Sequence, residues 1–281
     1  MSVSELLHDH YFTPLNLNSS TVLITGGGNG IGYSLVQKFL QAGSTVIISD
    51  CREDRLKDAK EKLNSDRLHC HLGDIGKEND RIELFHWIIT HYPSMNILVN
   101  NAGIQRRISM MNDFNTPWSE RQKEIDINFS APVHLCSLFI PHLLKGKQQS
   151  AIINITSDLA FIPPAFAPVY GATKAYVYPY IMQSSSALHN FTVSLRFDLN
   201  NSNIDVYEII PPPVRTDLGG GHPFGEPVDE FTDHIFERIK SGEQEIGYKK
   251  SNENRLASRE QINQTFLELN TNYKHMFPSN T

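Results

Sequence analysis

The chain has 281 residues, of which 40% are apolar and 20% charged, with 15 prolines. That is the composition of one compact domain, not of a collagen-like, disordered or disulfide-framed chain. Twenty-five basic against 31 acidic side chains leave a formal charge of -6, so there is no basic footprint for nucleic acid or an anionic membrane, and a small-molecule partner is expected.

The first 18 residues carry Glu5, His8, Asp9 and His10 where a signal peptide would have a basic start and an apolar run. They are expected to be a loosely attached extension ahead of a single domain spanning residues 19–281. From Thr21 onward, short β-branched runs alternate with segments of helical period, as in repeated βαβ units. Strands are expected at residues 21–25, 45–49, 67–71, 96–100, 151–156 and 204–210, with a short one at 245–248. Helices are expected at 30–42, 52–63, 78–91 and 119–144. The strand centres are nearly all apolar, as strands buried on both faces must be. The expected architecture is therefore α/β, a Rossmann-type doubly wound parallel sheet of about seven strands with helices on both faces. The most apolar stretch, residues 131–144, is interrupted by His134, Pro141 and His142 and is expected to be too short to cross a bilayer. Cys51, Cys70 and Cys136 have no CxxC pair and no nearby histidine spacing. They are expected to be buried thiols in a reducing, cytoplasmic compartment, and no metal is expected.

The first strand ends in Thr25-Gly26-Gly27-Gly28-Asn29-Gly30-Ile31-Gly32. Such a turn delivers a helix N-terminus beside a strand end, and its small residues let a pyrophosphate approach backbone N–H groups. The spacing, Gly-x-x-x-Gly-x-Gly, differs from the common Gly-x-Gly-x-x-Gly fingerprint. Asp50 closes the second strand, where a carboxylate accepts from both adenosine ribose hydroxyls and repels a 2'-phosphate, favouring NAD over NADP. Arg52, two residues on, offers a guanidinium with which that phosphate could still pair. Further along, Tyr170 and Lys174 are four residues apart and share one helix face. A phenol with pKa ~10 is a poor base, but an adjacent ammonium stabilises the phenolate and makes a general acid/base of it.

Taken together, the glycine turn, Asn100-Asn101-Ala102-Gly103, Asn128, Ser157, Tyr170 and Lys174, in that order, resemble the short-chain dehydrogenase/reductase family from about Ser19 to the chain end. A narrower resemblance, to a bacterial oxidoreductase branch of that family, rests on Leu84-Phe85-His86-Trp87, Leu138-Phe139-Ile140-Pro141-His142 and Ile210-Pro211-Pro212. The resemblance implies proton exchange with the substrate oxygen at Tyr170 and a hydrogen bond to that oxygen from Ser157. It also implies that Lys174 holds the nicotinamide ribose and that Asn128 anchors a relay water. For the cofactor it implies Gly26, Asn29, Gly30, Ile31 and Gly32 around the pyrophosphate, with Asp50 on the ribose. Asp74 and Ile75 would lie at the adenine edge and Asn101, Ala102 and Gly103 beside the ribose. Val214 and Thr216 would follow the sixth strand, Thr216 near the carboxamide. Pro211-Pro212-Pro213 stands there where the family usually has Pro-Gly.

The implied function is a hydride transfer between NAD, or NADP, and a small alcohol or carbonyl substrate of modest polarity, by a homodimer or homotetramer. Phe161, Ile162, Pro163, Pro164 and Phe166, with the loop at 219–227, are expected either to line an apolar pocket with a mobile lid or to pack on their own domain. About eleven residues, 176–186, intervene after the Tyr-x-x-x-Lys helix, with Pro179 and three serines that do not suit a helix interior. A looped-out insert that lets Phe191, Leu195 and Leu199 reach the core is expected. The competing reading is a nicotinamide-binding protein without turnover, and an extended-type epimerase is disfavoured by the glycine spacing.

Overall fold

The computed structural model describes residues 14–108, 110, 113–174, 187–221 and 224–276. Seven strands form one parallel sheet: β1 (Thr21–Thr25), β2 (Thr45–Asp50), β3 (Leu68–Leu72), β4 (Met95–Asn100), β5 (Ser150–Ile155), β6 (Ile204–Ile210) and β7 (Glu245–Gly247). Their spatial order is β3-β2-β1-β4-β5-β6-β7. Side chains alternate between two cores because successive residues of a strand point to opposite faces. Val22 and Ile24 join one core, and Leu23 the other. The first core is covered by α1 (Gly30–Gln41), α2 (Glu53–Leu63) and α8 (Val228–Lys240), through Phe39, Leu56 and Phe231. The second lies under α3 (Glu78–His91), α5 (Ala131–Lys145) and α7 (Ala187–Asp198), through Ile88, Phe139 and Leu195. Between β1 and β4 the order reverses, and the chain leaves these neighbours toward opposite faces, opening a crevice at their carboxyl ends.

Three expectations need correction. Leu15 and Leu17 are only 4% and 5% exposed and belong to the first core. Ser44 Oγ donates to the Leu17 carbonyl at 2.6 Å. The domain therefore includes at least residues 15–18, held by apolar burial that the signal-peptide test does not register. Residues 131–144 are not a short broken stretch, because α4 (Trp118–Ile125), a π turn (Asp126–Ser130) and α5 form one continuous helix of 28 residues. By length and composition that helix is long enough to cross a membrane, and here its inner face packs on the sheet. Pro141 is tolerated inside it because Pro141 and Ser137, whose carbonyl loses its partner, are both exposed. Cys51 is exposed and Cys70 half-buried, so only Cys136 is a buried thiol.

The insert at 176–186 lies outside the described residues. On either side of it, α6 (Pro168–Lys174) ends and α7 begins, with Leu195 and Leu199 buried in the second core and Phe191 packed against it. Two helices close the chain, α9 (Lys250–Leu256) and α10 (Arg259–Met276). Substituting Leu17→Ala should lower stability by about 2–5 kcal/mol in urea unfolding, the usual range for a buried leucine. An unchanged midpoint would return residues 15–18 to a loose extension.

Candidate active site

The turn between β1 and α1 is built so tightly that side chains are excluded. Gly26 has φ +65°, and a Cβ there would lie 2.8 Å from Ala102 Cα. A Cβ on Gly32 would lie 2.3 Å from the Gly26 carbonyl oxygen. Asn101, just beyond β4, holds the turn in place. Its Nδ2 donates to the carbonyls of Thr25 (2.9 Å) and Gly26 (3.1 Å). The Asn101 and Ala102 amides both donate to Thr25 Oγ1 at 3.1 Å. No side chain caps the N-terminus of α1, so its first-turn N–H groups and the positive end of its dipole face the crevice.

Asp50 ends β2 with its carboxylate against this turn, accepting from Gly28 N at 3.2 Å and Arg52 N at 3.0 Å. The Arg52 guanidinium turns away to Asp54, at 2.9 and 2.6 Å. The arginine that approaches the glycine turn is Arg55, whose Cβ lies 2.8 Å from where a Gly28 Cβ would stand. Arg55 also reaches Asp217 at 3.5 Å. Sequence spacing missed Arg55 because its approach depends on how α2 leaves the strand. Asp74 caps its own turn by accepting from Gly76 N at 3.0 Å. The Ile75 carbonyl accepts from Arg81 at 2.6 Å.

The segment after β6 folds over the crevice. Thr216 Cγ2 lies 3.2 Å from the position of a Gly30 Cβ, and Asn29 Nδ2 donates to Asp217 at 2.6 Å. Gly219 rests on Gln105, whose Oε1 is 2.7 Å from where its Cβ would be. Val214 is different: its side chain is buried in the first core. Ile31 packs on the edge of that core.

Asn128 sits in the π turn, a local widening that often marks functional helices. It accepts from Ile104 N (2.9 Å) and donates to Ile104 O (2.8 Å) and Thr173 Oγ1 (3.3 Å). A Cβ on Gly103 would stand 3.3 Å from its Oδ1. Ser157 follows β5 and begins a short 3-10 turn, accepting from Leu159 N at 3.2 Å and donating to Asp158 at 3.3 Å. Tyr170 and Lys174 are both buried on α6. Ser157 is the polar side chain that favours the Tyr170 phenolate.

The electrostatics correct one expectation. Burial pushes the Tyr170 phenol up, Ser157 draws it back, and the charges of Asp158 and Glu124 raise it again. Desolvation of the phenolate outweighs the help expected from the lysine. Burial also lowers the Lys174 ammonium to about 8, against an opposing pull from Glu208. Its Nζ donates to the Ile155 carbonyl at 3.0 Å. Burial raises the carboxyls of Asp158 and Glu124 to about 7 each. Among the described residues no three of His, Cys, Asp and Glu converge as metal ligands.

Phe161 and Ile162, weighed as pocket lining or loop packing, belong to packing. With Ala160 and Ile210 they form a third core under Ile262, Phe266 and Leu269 of α10. Asn270 clamps the same loop, accepting from Ala165 N (2.6 Å) and donating to Pro163 O (3.2 Å).

A parallel sheet that reverses beside a glycine turn, with a serine, a tyrosine and a lysine on its carboxyl edge, defines a dinucleotide-type oxidoreductase fold. The chain belongs to the short-chain dehydrogenase family, whose model matches residues 20–222. It is 37% identical to the oxidoreductase DltE of Bacillus subtilis over 264 residues, 92% of this chain and 99% of that one. It is 30% identical to the NADP-dependent 3-hydroxy acid dehydrogenase YdfG of Escherichia coli over 190 residues, 68% and 71% of the two chains. A short-chain dehydrogenase of Burkholderia phymatum, solved with NAD, shares the fold at a TM-score of 0.75 and 16% identity, covering 91% of this chain and 96% of that one.

The raised carboxyls predict a pH effect on stability. Asp158 and Glu124 hold protons in the folded chain at pH values where the unfolded chain has lost them, so each reduces stability as pH rises from about 4 to 7. Asp158→Asn should therefore gain stability over the parent on moving from pH 5 to pH 8, by an amount on the order of a few kcal/mol. Parallel pH profiles in thermal unfolding would refute it.

Proposed function

We propose that the protein is an NAD-preferring oxidoreductase that moves a hydride between the nicotinamide and a small alcohol or carbonyl substrate of modest polarity. The observation that carries this reading is the buried set of Ser157, just past the end of β5, and Tyr170 and Lys174, one turn apart on α6. The nicotinamide, when bound, supplies the hydride acceptor or donor. Tyr170 gives its proton to the substrate oxygen in reduction and takes it back in oxidation, with Ser157 orienting that oxygen. Lys174, as a cation, stabilises the phenolate left behind.

The glycine turn fits the pyrophosphate because its backbone packs too closely on its neighbours to carry side chains, and the uncapped end of α1 supplies N–H donors. Asp50 favours NAD: its carboxylate, already ordered by Gly28, suits ribose hydroxyls and repels a 2'-phosphate. Arg55, near Gly28, is the group through which NADP would be accommodated. Homodimer or homotetramer formation is supported by α7, where Phe197 is 83% exposed beside exposed Val193. Three free cysteines accord with a cytoplasmic setting.

Fluorescence titration should show NADH binding more tightly than NADPH, and Asp50→Ala should narrow or reverse that order. Equal or stronger NADPH binding by the parent would overturn the preference. In a screen of secondary alcohols and ketones, Tyr170→Phe should lose roughly 10²–10⁴-fold in kcat with little change in NADH affinity. Undiminished turnover in that variant would remove Tyr170 from the chemistry.

A further inference from the structure

Strand β6 reads Ile-Asp-Val-Tyr-Glu-Ile-Ile, and its glutamate, Glu208, is fully buried. A carboxylate in that position is costly unless it is paired and hydrogen-bonded, and an apolar residue of similar size would often serve the fold as well. Glu208 is fully engaged. His189 of α7 lies with Nδ1 2.9 Å from Oε1 and 2.8 Å from Oε2, so Nδ1–H donates to the carboxylate. Thr156 Oγ1 donates to Oε1 at 2.8 Å. Phe161 packs edge-on against the imidazole at 5.3 Å. Burial opposes charge on His189, and Glu208 overrides it, so the imidazole titrates above its ordinary value.

Thr156 lies between the two residues on which the site depends. Ile155 supplies the carbonyl that receives Lys174 Nζ, and Ser157 is the polar side chain that favours the Tyr170 phenolate. Glu208 is also the charge that favours the ammonium of Lys174 against burial. We propose that Glu208 is a positioning residue for Lys174: it keeps the ammonium charged inside the fold and fixes the 155–157 turn through Thr156, with His189 as its hydrogen-bonding neighbour and no part of its own in holding Lys174. The inference rests on the oxidoreductase reading for its functional meaning, since Lys174 must be a cation to serve Tyr170. Glu208 is the charge that acts on Lys174, while Asp158 in the 3-10 turn and Glu124 on α4 act on Tyr170, and Arg196 on α7 and Glu245 on β7 act on His189. Arg196 is itself held by the Val206 carbonyl at 2.9 Å and by Glu245 at 3.8 Å.

The test follows the Lys174 side chain by NMR across pH in full-length protein labelled at lysine, with the resonance assigned by its loss in Lys174→Arg. Glu208→Gln removes the charge and keeps a hydrogen-bonding shape, and the Lys174 midpoint should fall by about one pH unit. His189→Gln leaves the carboxylate, so the midpoint should hold or rise. The double variant should fall as Glu208→Gln does, and it stands in if the single variant does not fold. A Glu208→Gln midpoint within about 0.3 units of the parent, or a fall in both single variants, would overturn the proposal, because loss of packing alone moves both alike. NADH titration of the same samples judges the oxidoreductase reading separately. Shifted midpoints without NADH binding would sink that reading alone, and NADH binding with unmoved midpoints would sink only the role of Glu208.

Discussion

The grip of Asn101 on the carbonyls of Thr25 and Gly26 is the contact on which the rest of the site depends. Parallel neighbours such as β1 and β4 have no hairpin to register their ends, and here the following segments diverge. A single amide closes that divergence at 2.9 and 3.1 Å and fixes the height of the glycine turn. From that height follow the direction of α1, the seat of Asp50 beside Gly28 and the depth of the crevice. Glycines are needed at 26 and 32 because the backbone is already as close to its neighbours as it can come.

A second constraint is burial of charge on the other side of the crevice. Lys174, Glu208, Asp158 and Glu124 are all nearly inaccessible to water. Each is expensive alone, and their costs are tolerated only because hydrogen bonds from backbone and neighbouring side chains meet them. The site thus has two characters: a backbone-lined anion cradle on one side, and a dry, titratable interior on the other. The π turn lets Asn128 bridge the two, since its side chain touches both Ile104, beyond β4, and Thr173 on the tyrosine helix.

Much of this was legible in the sequence, for physical reasons. β1 and β6 fall at their expected bounds because short β-branched runs bounded by polar residues leave little choice of register. The glycine turn, Asp50, Asn128, Ser157, Tyr170 and Lys174 come together because strand-end positions in such a sheet share one edge. What stayed hidden depends on approach in three dimensions. Leu15 and Leu17 have no period to mark them as core, and Arg55 was overlooked in favour of Arg52, which pairs with Asp54. Glu208 and His189 are 19 residues apart on different elements and carry no motif. An acid inside an otherwise apolar strand was the available signal. For the loop between Ser157 and Tyr170 the sequence leaves pocket lining and packing equally open, because its partner, α10, lies far away along the chain.

That distance bears on synthesis. The Ala165 amide and the Asn270 side chain that receives it are separated by 105 positions. At roughly 5–20 residues per second of translation, the loop must wait several seconds for its cover after it leaves the ribosome. During that interval Phe161 and Ile162 are apolar side chains without their lid. The nascent chain can assemble the glycine-turn half first, and the tyrosine half becomes complete only when α10 arrives, so a ribosome that stalls late would leave a sticky half-built site for chaperones to shield.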